Sequence, residues 1–123
     1  MTPLSSRVVD FLHGHITSLL QLEALLLVVQ SRGTPRTAQE ISAEMYVPSE
    51  AVGMWLKEFA DSGFCAPGER GYSAPESEHT SALLAEVEDA YLRRPVSVGR
   101  VIFGSTRDDL ASLSEAFRLR KER

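Results

Sequence analysis

Two helix-start signals, separated by a proline, constrain the fold of this chain more than any other feature. Thr37 and Glu40 form a T-x-x-E capping box, in which the hydroxyl and the carboxylate each accept a backbone N–H left unpaired at a helix start. A helix is therefore predicted from Ala38. Pro48 interrupts the apolar pattern, and Ser49 is predicted to cap a second helix. The sequence thus indicates two short helices joined by a tight turn.

The second helix has one apolar and one largely polar face. Its apolar side chains recur with the period of an α-helix, and Gly63 suits the left-handed conformation that ends many helices. The apolar face consists of Val52, Trp55, Leu56 and Phe59. The opposite face carries Glu50, Gly53, Met54, Lys57, Glu58 and Asp61.

A small β-hairpin is predicted directly after this helix. Residues 64–66 form the first predicted strand, residues 67–71 a turn with two glycines, and residues 72–73 the returning strand. Helix, turn, helix and hairpin together resemble the winged helix-turn-helix domain of bacterial transcriptional regulators. The matching residues are TAQEISAEMYVPSEAVGMWLKEFADSGFC and the GERG of the hairpin, which cover about a third of the chain.

The rest of the chain is predicted to be helical and to belong to the same single domain, residues 1–123. A first helix is expected from Ser5 or Ser6 to about Gly14, and Ser18 with Gln21 resembles a second capping box. The helix that follows has apolar side chains on almost every face, so we expect it to be buried all round.

The resemblance implies a mainly α fold with a small β-wing, a winged-helix core over about residues 18–73 and a C-terminal helical extension over 76–123. A long helix is predicted from Ser77 to Arg94. Residues 96–103 fit either a strand or a helix, and helix is favoured because Pro95 suits a first helical turn. Thr106 begins a final predicted helix, whose apolar stripe is Leu110, Leu113 and Phe117.

Composition excludes several classes of protein. No phosphate-binding loop, nucleophile elbow or zinc-protease motif occurs, so we expect no enzyme and no cofactor. His13 and His15 lack a nearby third ligand, so no metal site is expected. A single cysteine, Cys65, and the absence of a long apolar run favour a cytoplasmic protein without a membrane span.

Charge is the main argument against strong DNA binding. The chain has a net charge of -4, and residues 33–80 contain only three cations, Arg36, Lys57 and Arg70, among eight carboxylates. Non-specific DNA affinity comes largely from neutralising phosphates with Lys and Arg. The segment that resembles a DNA-binding module is therefore acidic.

Two functions remain open. The first is a DNA-binding transcriptional regulator, which the resemblance implies to be a homodimer with its flanking helices paired. Its predicted DNA contacts are Ser49, Glu50, Gly53, Met54 and Lys57 on the recognition helix and Arg70 in the wing. The second is a protein-interaction module that uses Met54, Tyr46 and the acidic helix face, with part of the transcription machinery as a possible partner.

Overall fold

The computed structural model describes residues 4–31 and 33–104. This part of the chain is mainly helical, with six helices and one two-stranded antiparallel sheet. In chain order the elements are α1 (Ser6–His15), α2 (Leu19–Gln30), α3 (Ala38–Met45), α4 (Ser49–Asp61), β1 (Ala66–Gly68), β2 (Gly71–Ser73), α5 (Glu78–Arg93) and α6 (Pro95–Gly104). The predicted final helix and its cations Arg118, Arg120 and Lys121 lie outside the described residues.

The central element is α2, which contacts α3, α4, α5 and β2. Leu22, Leu25 and Val28 are fully buried, as expected for a helix with apolar side chains on nearly every face. Leu20 departs from that expectation, because 46% of its surface is exposed in the first turn. The helix is therefore enclosed on most of its circumference, but not all of it.

One apolar core joins the helices. Leu26 in α2, Ile41 in α3, Leu56 in α4, Leu84 in α5 and Ile102 in α6 all belong to a single cluster of buried side chains. Leu26 and Leu56 thus share one core, as expected from the apolar faces of their two helices. Because α5 and α6 contribute to this same cluster, they complete the core on which α2, α3 and α4 also pack.

The two predicted capping boxes have different outcomes. In the first, Thr37 accepts the Glu40 N–H at 3.1 Å and the Glu40 carboxylate accepts the Thr37 N–H at 3.0 Å. In the second, Ser18 accepts the Gln21 N–H, but the Gln21 side-chain oxygen accepts from the N–H and hydroxyl of Thr17 instead. The first capping box therefore has both of its hydrogen bonds. In the second, the return hydrogen bond comes from Thr17, one residue before the N-cap, instead of from Ser18.

The start of α4 differs by one residue from the prediction. Pro48 occupies the N-cap, and Ser49 is the first helical residue rather than the cap. The Pro48 ring holds φ at -54°, and its side chain has no hydrogen-bonding atom, so no side-chain capping hydrogen bond forms. Glu50 lies in the first turn, where the helix dipole favours a carboxylate.

The first strand begins two residues later than predicted. The Phe64 N–H donates to the Phe59 carbonyl at 2.8 Å, and Gly63 has a φ of +84°, so this segment closes the end of α4. Cys65 is buried, with its thiol 3.5 Å from the Leu56 carbonyl oxygen. The chain is therefore free to pair as a strand only from Ala66, and residues 69–70 alone form the turn.

A bridge to Arg36 fixes the hairpin against the start of α3. The Arg36 N–H donates to the Tyr72 carbonyl at 2.8 Å, and the Tyr72 N–H donates to the Arg36 carbonyl at 2.7 Å. Gly71 permits this approach, because a Cβ at that position would lie 2.4 Å from the Arg36 oxygen. The hairpin thus pairs with the residue that precedes the capping box.

The segment that fitted either a strand or a helix is a helix, α6, with Pro95 in its first turn. Its inner side buries Val98 and Ile102, while Val96 and Phe103 remain exposed. Among the helices that the structure describes, none is by itself long and apolar enough to cross a bilayer. The helices α1 and α2 have the length and apolar composition of a membrane span only when they are taken together, and they are bent by 114° relative to each other.

Candidate recognition surface

The turn between α3 and α4 is held by local hydrogen bonds. Tyr46 adopts a left-handed conformation with φ 59° and ψ 42°, and its N–H donates to the Ser42 carbonyl. The Ser42 hydroxyl donates to the Val47 carbonyl. A left-handed non-glycine residue costs about 1 kcal/mol or more, so the surrounding contacts must offset this cost. The two helices are therefore joined by a defined turn.

The side of α4 that faces away from the core is open to solvent. Val52, Leu56 and Phe59 are buried against the core. The opposite side is the outward face of α4, which we define as Glu50, Met54, Lys57, Glu58 and Asp61, all exposed. A helix of thirteen residues is about 20 Å long, so this face is large enough to contact a groove or a partner surface.

Two of the predicted contact residues lie off this face. Gly53 is half-buried, and a Cβ built on it would lie 3.9 Å from the Ala38 Cβ in α3. Gly53 therefore belongs to the packing between α3 and α4 and not to a ligand-facing surface. Ser49 is half-buried in the first turn of α4.

The hairpin presents one exposed residue of each charge. Glu69 and Arg70 are both exposed between β1 and β2, so the formal charges at the tip cancel. The Arg36–Tyr72 bridge and the contact of β1 with α4 hold the hairpin beside the helix pair. Arg70 is thus exposed in the turn between the two strands.

The outward face of α4 is acidic, with three carboxylates and one ammonium group. Arg36, the remaining cation of residues 33–80, does not offset the negative charge of this face. Its guanidinium lies 3.5 Å from the Glu44 carboxylate and 3.3 Å from the Ser31 hydroxyl, and only 21% of its side chain is exposed. A cation counted from the sequence is therefore already engaged within the fold.

Two apolar side chains project next to these charges. Tyr46 is 96% exposed and Met54 is 64% exposed. Both residues belong to the interpretation of the sequence as a protein-interaction module. Tyr46 is also the residue with the left-handed backbone conformation. No glycine or asparagine marks that position, so the sequence contains no signal for this conformation.

The candidates for reactive chemistry have structural roles. The His15 ring packs edge-on against Phe64 with the centroids 4.6 Å apart, and it also contacts Phe11. Over residues 4–31 and 33–104, no three His, Cys, Asp or Glu side chains gather in a way that holds a metal ion. Burial raises the pKa of the Cys65 thiol to about 12, which disfavours the reactive thiolate.

No protein-family model, curated protein or solved structure matches this chain.

Proposed function

We propose that the protein is a winged-helix transcriptional regulator that binds DNA, with α4 as the recognition helix and the β-hairpin as the wing. One observation carries the proposal: the outward face of α4 is exposed, while a backbone bridge fixes the hairpin to the residue before α3. A major groove about 12 Å wide accepts an α-helix, and a rigid neighbouring hairpin can contact the adjacent backbone.

The exposed residues divide into two chemical roles in this proposal. Lys57 and Arg70 neutralise phosphates, because they are the exposed cations of α4 and the hairpin. Glu50 and Met54 are placed to contact bases, since a carboxylate can accept from the cytosine amino group and an apolar side chain can contact the thymine methyl. Ser49 has a secondary role at the first turn.

Binding of this kind is weak and depends strongly on salt. We propose a homodimer, and the exposed Val96 and Phe103 of α6 supply apolar surface for it. A dimer whose subunits each contact phosphates through Lys57 and Arg70 makes about four such contacts, so the slope of log affinity against log salt concentration is near -4. Sedimentation of the full chain at micromolar concentrations tests the dimer separately from DNA binding.

A second candidate function is supported by the charge of the same surface. Three carboxylates together with the exposed Tyr46 and Met54 suit a basic, partly apolar protein surface better than they suit phosphates. In this alternative the helix pair docks on another protein, such as a component of the transcription machinery, without contacting DNA.

A titration of the full chain against a pooled genomic fragment library separates the two functions. The DNA-binding proposal expects retention of selected fragments at low salt, with the slope given above. It also expects Glu58→Gln to strengthen binding, because the change removes a carboxylate that repels the DNA backbone. If no fragment is retained at low salt, DNA binding is wrong and the protein-interaction function takes its place.

A further inference from the structure

A groove of about 390 Å³ lies between α2, α3 and α5. It is separate from the outward face of α4. Its lining consists of the apolar Leu26, Leu27, Met45 and Leu92 and the polar Glu23, Gln30, Glu44 and Tyr91. Leu92 is 69% exposed, a high value for a leucine beside an apolar groove. The groove therefore offers apolar contacts that the described residues leave unused.

The polar lining of the groove is acidic. The Tyr91 hydroxyl donates to the Glu23 carboxylate at 2.6 Å, and this hydrogen bond raises the pKa of Tyr91 to about 12. The Glu44 side chain is half exposed, and Arg36 approaches it at 3.5 Å. The residues that line the groove include two carboxylates and no Lys or Arg. An amphipathic segment with cations beside its apolar residues matches this lining.

We propose that residues 105–123 of the same chain dock in this groove. Leu110, Leu113 and Phe117 are spaced three and four residues apart, the spacing with which an amphipathic helix anchors in an apolar groove. The cations that follow are Arg118, Arg120, Lys121 and Arg123, accompanied by a single carboxylate, Glu122. Apolar anchors thus meet apolar lining, and cations meet the Glu23 and Glu44 side.

The chain has enough length to return from Gly104 to the groove. α6 starts at Pro95, three residues after Leu92, and its ten residues extend about 15 Å. Residues 105–109, if extended, span up to about 17 Å. Leu110 can therefore be brought back to the Leu92 end of the groove by its own chain, without a second copy.

Thiol labelling of the full chain tests the proposal. Gln30→Cys places a thiol on the exposed rim of the groove, and Gln39→Cys places one at an exposed position of α3 outside the lining. The native Cys65 is buried and serves as the slow background. Each reporter is labelled with and without replacement of Leu110, Leu113 and Phe117 by serine. If the segment occupies the groove in about nine molecules of ten, the replacement accelerates labelling at position 30 about tenfold and leaves position 39 unchanged.

A second variant keeps the test decisive if the triple replacement reduces folding, as checked by circular dichroism. Replacement of Arg118, Arg120 and Lys121 by glutamate retains the apolar stripe and reverses the charge, so labelling at position 30 should also accelerate, most strongly at low salt. Equal rates at position 30 in all chains would overturn the proposal. Protection that appears only at high protein concentration would also overturn it, because a second copy would then occupy the groove.

Discussion

The absence of a side chain at Gly71 allows the β-hairpin to pack closely against Arg36, the residue that precedes the α3 capping box. Gly71 has a φ of +128°, a backbone angle that residues with a side chain rarely adopt. Because glycine has no Cβ, there is room for the Arg36 carbonyl beside it. Gly68, in the same hairpin, needs no such freedom, since a Cβ there would make an ordinary contact at 3.5 Å. Glycine is therefore required at position 71 of the hairpin but not at position 68.

Gly71→Ala is expected to lower the free energy of unfolding by about 1 to 3 kcal/mol, because it combines a disfavoured backbone angle with a clash against the Arg36 backbone. Gly68→Ala is the matched control and should change stability much less. Urea unfolding of both variants measures the difference. Equal urea midpoints for Gly71→Ala and Gly68→Ala would show that the close contact with Arg36 does not require glycine at position 71.

The core residues give a second prediction at this scale. Leu26 and Leu56 are 2% and 0% exposed within one cluster, so Leu→Ala at either position should cost about 2 to 5 kcal/mol. Gln39→Ala, at an exposed position of α3, is the control. Thermal melts in which the leucine variants move no further than the control would contradict the core assignment.

Cys65 gives a prediction for reactivity. With a thiol pKa of about 12, only about one molecule in ten thousand carries the thiolate at pH 8. Alkylation in native buffer should therefore be far slower than in urea, where the thiol is exposed and its pKa returns to its ordinary value. Similar rates in the two conditions would show that the segment around Cys65 opens easily.

At the scale of elements, local signals predicted helices well. The T-x-x-E box, the proline at the start of α6 and the apolar period of α4 each depend on residues within one or two helical turns, so the sequence contains these signals in full. The Arg36–Tyr72 bridge joins residues far apart in the chain, and no local pattern announces it. The orientation of Gly53 towards Ala38 likewise depends on how α3 and α4 cross.

The capping box of α3 has a definite pH dependence. Hydrogen bonds from the Thr37 N–H and hydroxyl lower the pKa of Glu40 below its usual value of 4.5. Since the folded-state pKa is depressed, this stabilisation is present above the unfolded-state pKa and is lost as pH falls through the folded-state value. The stability advantage of the native chain over Glu40→Gln should therefore disappear on acidification. An advantage that persists at pH 2 would show that the charge does not contribute.

For the whole molecule, the exposure of the candidate contact residues favours DNA binding, whereas the negative charge around them favours a protein partner. The candidate contact residues Glu50, Met54, Lys57 and Arg70 were predicted from the sequence, and the fold leaves all four exposed. The sequence did not reveal that Arg36 would be engaged by Glu44 and Ser31, because that contact requires the folded arrangement of α2 and α3. These candidate contact residues are therefore accessible, but fewer cations are available near them than the sequence alone indicates.

If the outward face of α4 binds DNA, reversing a charge on this face should abolish binding, whereas the same reversal elsewhere on the surface should not. Lys57→Glu and Arg7→Glu each change the net charge equally, but Lys57 lies on the outward face of α4 and Arg7 is exposed on α1. We predict that the native chain and Arg7→Glu retain the same genomic fragments at low salt, whereas Lys57→Glu loses nearly all of them. Fragment retention by Lys57→Glu equal to that of the native chain would contradict DNA binding by this face.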